Sequence, residues 1–156
     1  MIYVMSDLHG AYEKYIKMLE KIKFSDDDTI YIIGDVIDRG KDSIKILQDM
    51  MCRFNVYPIL GNHEVMALTV LKELMVEITN DNAENYLTES IMQSYIDWTF
   101  NGGNVTLQEF QKLSKEDKLD IIDYLEEFTP YETIDMNDKT YILVHAGLNN
   151  FRRCHW

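Results

Sequence analysis

The stretch Thr29-Ile-Tyr-Ile-Ile-Gly-Asp-Val-Ile-Asp-Arg-Gly40 sets a short apolar run against a polar loop bounded by two glycines. A run of this composition and length reads as a buried strand, and the loop after it holds two carboxylates and a guanidinium. The same unit stands on both sides. Ile2 to Met5 precedes Ser6-Asp7-Leu8-His9-Gly10, and Val56 to Leu60, with Pro58 as a weakening feature, precedes Gly61-Asn62-His63-Glu64. Each loop leads into apolar residues at helical spacing: Tyr12, Tyr15, Ile16, Leu19 and Ile22, then Ile44, Leu47 and Met51, then Leu68, Leu71, Leu74 and Met75. Strand, loop and helix in alternation predict an α/β fold with a mostly parallel sheet covered by helices.

From about Thr79 to Pro130 the rhythm changes. Helical spacing recurs around Ile91, Tyr95 and Trp98, and again around Leu119, Ile122, Leu125 and Phe128, which predicts a helical cap inserted into the α/β unit. Ser114 followed by Asp117 opens the last of these helices as a capping box, and Pro130 ends it. Tyr141 to Val144 returns to strand and runs into His145-Ala146-Gly147.

The chain of 156 residues suits one domain, 1–156, with the cap at about 79–130. Its 46% hydrophobic and 27% charged content is that of a globular protein. Fifteen basic against twenty-seven acidic residues leave a net charge of −12, which opposes nucleic acid and anionic membranes as partners. A phosphorylated substrate then needs local positive charge, and bound divalent cations supply it. Two cysteines, Cys52 and Cys154, make no disulfide framework. Without a signal peptide or a membrane-length apolar run, the expected compartment is the cytoplasm.

Four polar clusters each follow a strand-like run, and the carboxyl ends of strands in an open α/β sheet surround one crevice. Asp7 and His9, two apart on an extended segment, would point the same way and serve one ion, or would form an ordinary turn or capping pair. Asp35 can bridge two cations and Arg39 can fork onto phosphate oxygens, unless the loop is a solvated one with an internal ion pair. Asn62 offers a neutral oxygen beside the His63 imidazole, or caps the following helix. That helix would also aim its free N–H groups at an anion in the crevice. His145 is a ligand or a backbone-bonding histidine.

In order, these clusters resemble the motifs of the calcineurin-like metallophosphoesterases, in the branch of bacterial serine/threonine phosphatases and diadenosine-tetraphosphate hydrolases. The family pattern is Gly-Asp-x-His-Gly, Gly-Asp-x-x-Asp-Arg-Gly, Gly-Asn-His-Glu and His-Gly-Gly or His-Ala-Gly; Ser6 replaces the first glycine. The resemblance implies a β-sandwich flanked by helices. It also implies two divalent metals, manganese first and iron or zinc as alternatives, with Asp7 and His9 on one, Asp35 between, and Asn62 and His145 on the other. Asp38 would orient His63 as general acid, and Arg39 would bind the phosphoryl group. The implied activity is phosphoester hydrolysis by metal-activated hydroxide, on a phosphorylated protein or a small phosphoester. Dinucleoside tetraphosphates are the alternative substrate class.

The sequence stops eleven residues after His145, whereas the family continues through a strand-rich stretch with a further phosphate-binding arginine and a Gly-His motif. Part of the second sheet is therefore expected to be missing, as in a truncated or frameshifted reading frame; His155, one residue from the chain end and after no strand-like run, reads as a terminal residue rather than a substitute ligand. A second reading follows: a binding module of low or no activity, with a homodimer covering the exposed sheet. Trp98, Asn101-Gly102-Gly103 and Thr106 are expected either to line a substrate rim or to pack in the core.

Overall fold

A computed structural model describes residues 1–77 and 88–147, so the expected start of the insertion near Thr79 and the terminal His155 lie outside the described residues. β1 (Ile2–Ser6), α1 (Tyr12–Ile22), β2 (Thr29–Ile33), α2 (Ser43–Met51), β3 (Val56–Ile59) and α3 (Asn62–Leu74) alternate as expected. The three strands form a parallel sheet in the order β1-β2-β3. In register, Tyr3, Ile30 and Val56 share one face with Met5, Ile32 and Pro58. Pro58 is tolerated because, among the described residues, β3 pairs as a strand on one side, with an isolated bridge between Ile59 and Thr129 on the other.

The helices cover that face. Tyr15 and Leu19 from α1, Leu47 and Met50 from α2, and Ala67 and Leu71 from α3 meet Ile30 and Ile32 in one core. Each of these side chains is removed from water at roughly 25 cal/mol per Å² of apolar surface, which is what fixes the helices on the sheet.

The stretch expected as an insertion holds α4 (Glu89–Trp98), a wide turn over Thr99–Gly103, α5 (Asn104–Gln111) and α6 (Lys115–Glu126). Trp98, Phe110, Ile121 and Leu125 join the same core. Ser114 opens α6 as expected, its Oγ accepting the Asp117 N–H at 3.1 Å. The helix ends at Glu126, not at Pro130; Thr129 is instead drawn to β3, its carbonyl accepting the Leu60 N–H at 2.7 Å.

β4 (Glu132–Met136) and β5 (Lys139–Leu143) form an antiparallel hairpin whose turn residues Asn137 and Asp138 have φ of 53° and 58°. Two left-handed residues of these types match the right-handed twist of paired strands. Among the described residues the second sheet consists of this hairpin. On the outer face of the parallel sheet Val4, Tyr31 and Tyr57 lie in register, Tyr31 and Tyr57 stack at 5.4 Å, and Val4 and Tyr57 stay exposed.

Candidate metal centre

The loops after β1 and β2 lie together at the carboxyl end of the sheet. The Asp7 N–H donates to Gly34 O at 3.2 Å, His9 N–H to Asp35 O at 2.9 Å and Gly10 N–H to Val36 O at 2.8 Å. The expectation that Asp7 and His9 share an extended segment fails: their φ values are 55° and 43°, in the left-handed region. Asp35, Asp38 and Arg39 are left-handed too, at 54°, 72° and 63°. Strain of this kind collects where surrounding bonds over-determine the backbone.

Two glycines allow the loops to approach. A Cβ on Gly40 would strike His9 O. Gly34, at φ 64°, would place a Cβ 2.6 Å from both Gly61 Cα and His145 Nδ1. These positions bring three histidines to one place.

Each imidazole is held by Nδ1 and presents Nε2. His9 Nδ1–H donates to Ile37 O at 3.0 Å, His145 Nδ1–H to Ile33 O at 3.0 Å, and His63 Nδ1–H to Asp38 Oδ2 at 2.7 Å. A bond at one ring nitrogen sets the tautomer and leaves the other as an electron-pair donor. Asp35, 5% exposed, stands between them. Its Oδ2 is 3.7 Å from His9 Nε2 and 4.0 Å from His63 Nε2, while its Oδ1 is 3.3 Å from His145 Nε2. Asn62 Oδ1 lies 3.2 Å from His145 Nε2. The ligand atoms of His9, Asp35 and His63 all fall within 4.8 Å of one another.

Imidazole nitrogens and carboxylate and amide oxygens with fixed outer partners fit divalent transition metals. One Asp35 oxygen faces His9 and the other faces His145, as a bridging carboxylate requires. Asp7 is exposed and its carboxylate stands outside the His9-Asp35-His63 group; its backbone, not its side chain, is seen to join the site. Arg39 reaches across, Nη1 at 2.9 Å from His9 Nε2 and Nη2 at 3.0 Å from His63 Nε2. At the helix start His63 N–H donates to Asp35 Oδ1 at 3.3 Å, and Gly61, not Asn62, is the cap residue.

Three residues support the site in ways that the sequence reading did not assign. Fully buried Glu64 accepts the N–H groups of Asp35 and Gly61 on one oxygen, at 2.9 Å each, and those of Val36 and Ile37 on the other, at 2.8 and 3.3 Å. Burial pushes its carboxyl up from the usual range, and the N–H groups of Asp35, Val36 and Ile37 pull against that. Trp98 and Thr106 are buried and bind Asp38, so they belong to the core and not to a substrate rim. The Glu64 signal was present as Gly-x-x-Glu at a helix start; the other two bonds span sixty or more residues and leave no local trace.

A family model of the calcineurin-like phosphoesterases matches residues 1–155. A symmetrical bis(5'-nucleosyl)-tetraphosphatase of Wigglesworthia glossinidia brevipalpis is 30% identical over 122 residues, covering 77% of this chain and 43% of that protein. One of Buchnera aphidicola subsp. Acyrthosiphon pisum (strain 5A) is 31% identical over 123 residues, covering 75% and 41%. The chain thus spans about two fifths of the length of the curated relatives it matches. A crystal structure of a protein named as a diadenosine tetraphosphatase superposes with a TM-score of 0.53 at 20% identity over 83% of this chain and 43% of that one, a likeness of fold. A family match over nearly every residue, on motifs that the fold gathers at the carboxyl end of the parallel sheet, means that the chain belongs to the calcineurin-like phosphoesterase family.

Proposed function

We propose that this chain is a metal-dependent phosphoester hydrolase whose substrates are small, with dinucleoside tetraphosphates as the class to which its relatives point. The observation that carries this is Asp35 held between His9 and His145, each imidazole presenting Nε2. Protein phosphatase activity, the first expectation from sequence, has less support, because the named relatives act on dinucleoside tetraphosphates.

Asp7, His9 and Asp35 are assigned to one metal and Asp35, Asn62 and His145 to the other, with manganese the first ion to test. When bound, the cations supply the Lewis acidity that brings the pKa of water near neutrality and offsets phosphoryl charge. The protein's own groups do the rest. The Arg39 fork, already aimed over the site, binds the phosphoryl oxygens. Once the Arg39 fork turns from His63 Nε2 to the phosphoryl group, that nitrogen is free to take a proton from water and give it to the leaving oxygen, while Asp38 on Nδ1 fixes the ring.

A binding module without turnover is the second reading, favoured by the exposed Val4 and Tyr57 on the outer sheet face, which a second copy of the chain would cover. Metal analysis of the purified protein, then hydrolysis of a bis(5'-adenosyl) tetraphosphate, a phosphopeptide and an aryl phosphate with manganese, decides. Two bound ions and preferred cleavage of the dinucleotide support the hydrolase. One ion or none, with all three substrates intact, sinks it.

A further inference from the structure

We propose that the helical insertion positions the proton donor of the site: Trp98 and Thr106 hold Asp38, and Asp38 thereby holds His63 with Nε2 facing the phosphoryl group. This rests on the reading above, in which His63 serves the leaving oxygen.

The basis is how completely Asp38 is held. Its side chain has no exposure to solvent. Oδ2 accepts both His63 Nδ1–H at 2.7 Å and Trp98 Nε1–H at 2.9 Å, and Oδ1 accepts the Thr106 hydroxyl at 2.7 Å. The terminal torsion of an aspartate is broad, so a carboxylate with one donor can rock and carry its histidine with it. Donors on both oxygens remove that freedom.

The insertion is itself fixed where it touches the loop. A Cβ on Gly103 would collide with the Trp98 indole, so the ring lies directly on that turn. Thr106 Oγ1 also accepts the Asp38 N–H at 3.0 Å and lies 3.0 Å from Ser43 Oγ. Three residues on, the Glu109 carboxylate accepts the Ser43 and Ile44 N–H groups at 3.2 and 3.0 Å, joining α5 to the start of α2. Gly102 O accepts the Arg39 N–H at 3.1 Å, so the same turn sets the phosphate-binding arginine. Core packing alone would need the bulk of Trp98 and not its N–H.

The test uses the full chain with Trp98→Phe, which keeps an aromatic ring and removes the donor, Thr106→Val, which removes the hydroxyl, and Thr106→Ser, which restores it. Nitrogen-15 spectra of the imidazoles in metal-free protein read the His63 tautomer directly. Wild type and Thr106→Ser are expected to show one Nδ1–H form, and Trp98→Phe and Thr106→Val an averaged one. With manganese, kcat for phenyl phosphate, a poor leaving group, is expected to fall about tenfold in both variants, inside the roughly 10²–10⁴-fold that a general acid supplies, with at most about a twofold change for 2,4-dinitrophenyl phosphate. Equal losses on both esters, or an unchanged His63 tautomer in both variants, overturn the proposal. If Trp98→Phe does not fold, Thr106→Val decides. If wild type hydrolyses no ester, the functional reading fails, while the spectra still decide whether the insertion holds the pair.

Discussion

The loop from Asp35 to Arg39 and the hairpin β4–β5 both lead into the site, and they are built in opposite ways. In the loop every backbone N–H has a named partner: Asp35, Val36 and Ile37 on Glu64, Asp38 on Ser43 and Thr106, and Arg39 on Gly102. Most of this loop is buried. In the hairpin Tyr141, Ile142 and Met136 are exposed. There His145, just beyond β5, is placed by its own ring, through Ile33 O, Asn62 and Asp35. Buried polar closure therefore sets the half of the site around His63, and one side chain sets the half around His145.

The largest expected effect tests that closure. Glu64→Ala leaves four N–H groups without an acceptor, at about 1–3 kcal/mol each before relaxation, so a loss of at least about 3 kcal/mol in urea unfolding is expected. Tyr141→Ala in the hairpin should cost under about 1 kcal/mol, the scale of one cross-strand pair. Equal costs would erase the contrast.

Function should divide along the same line. His63→Ala is expected to lower kcat on phenyl phosphate by roughly 10²–10⁴-fold while metal content stays at the wild-type value. His145→Ala should instead lose one bound ion, read by metal analysis after dialysis. A His63→Ala protein that loses metal would make His63 a ligand, consistent with its place beside His9 and Asp35.

A smaller effect comes where the two regions touch. Gly34→Ala forces φ 64° on a residue with a Cβ, at about 1–2 kcal/mol for the backbone alone, and sets that Cβ 2.6 Å from both His145 Nδ1 and Gly61 Cα, so the ring and the backbone before Asn62 must both shift. Titration should show weaker binding of one ion and unchanged binding of the other. Parallel weakening of both would mean that the halves are not independent.

How much of this was visible in the sequence follows from the same division. Asp35, Asp38, Arg39, Asn62, His63 and His145 were readable because each follows an apolar run, and strand ends of one sheet converge. The supports were not readable. Trp98 has the spacing of a core residue and is one, and only the fold shows that its N–H meets an aspartate sixty residues away. Asp7 and His9 were misread as extended because alternation is the default after a strand, whereas the bonds to Gly34 and Asp35 turn both residues left-handed. The insertion was visible as helices, but its hydrogen bonds to the loop were not.

The smallest expected effect probes the outermost of those bonds. Burial pushes the Glu109 carboxyl above its usual range, although the N–H groups of Ile44 and Ser43 pull it down. A raised value means that the folded chain keeps this proton at a pH where the unfolded chain has released it. The folded state then binds more protons, so stability falls as pH rises from the ordinary glutamate range through the raised one. Glu109→Gln removes that slope. Urea unfolding between about pH 4 and pH 7 should show the variant gaining on wild type as pH rises, by well under about 1 kcal/mol because the group is partly exposed and screened. The opposite slope would mean that the charged carboxylate at the start of α2 outweighs its burial. The junction between insertion and loop would then be an electrostatic clasp, loosened by acid and sensitive to salt.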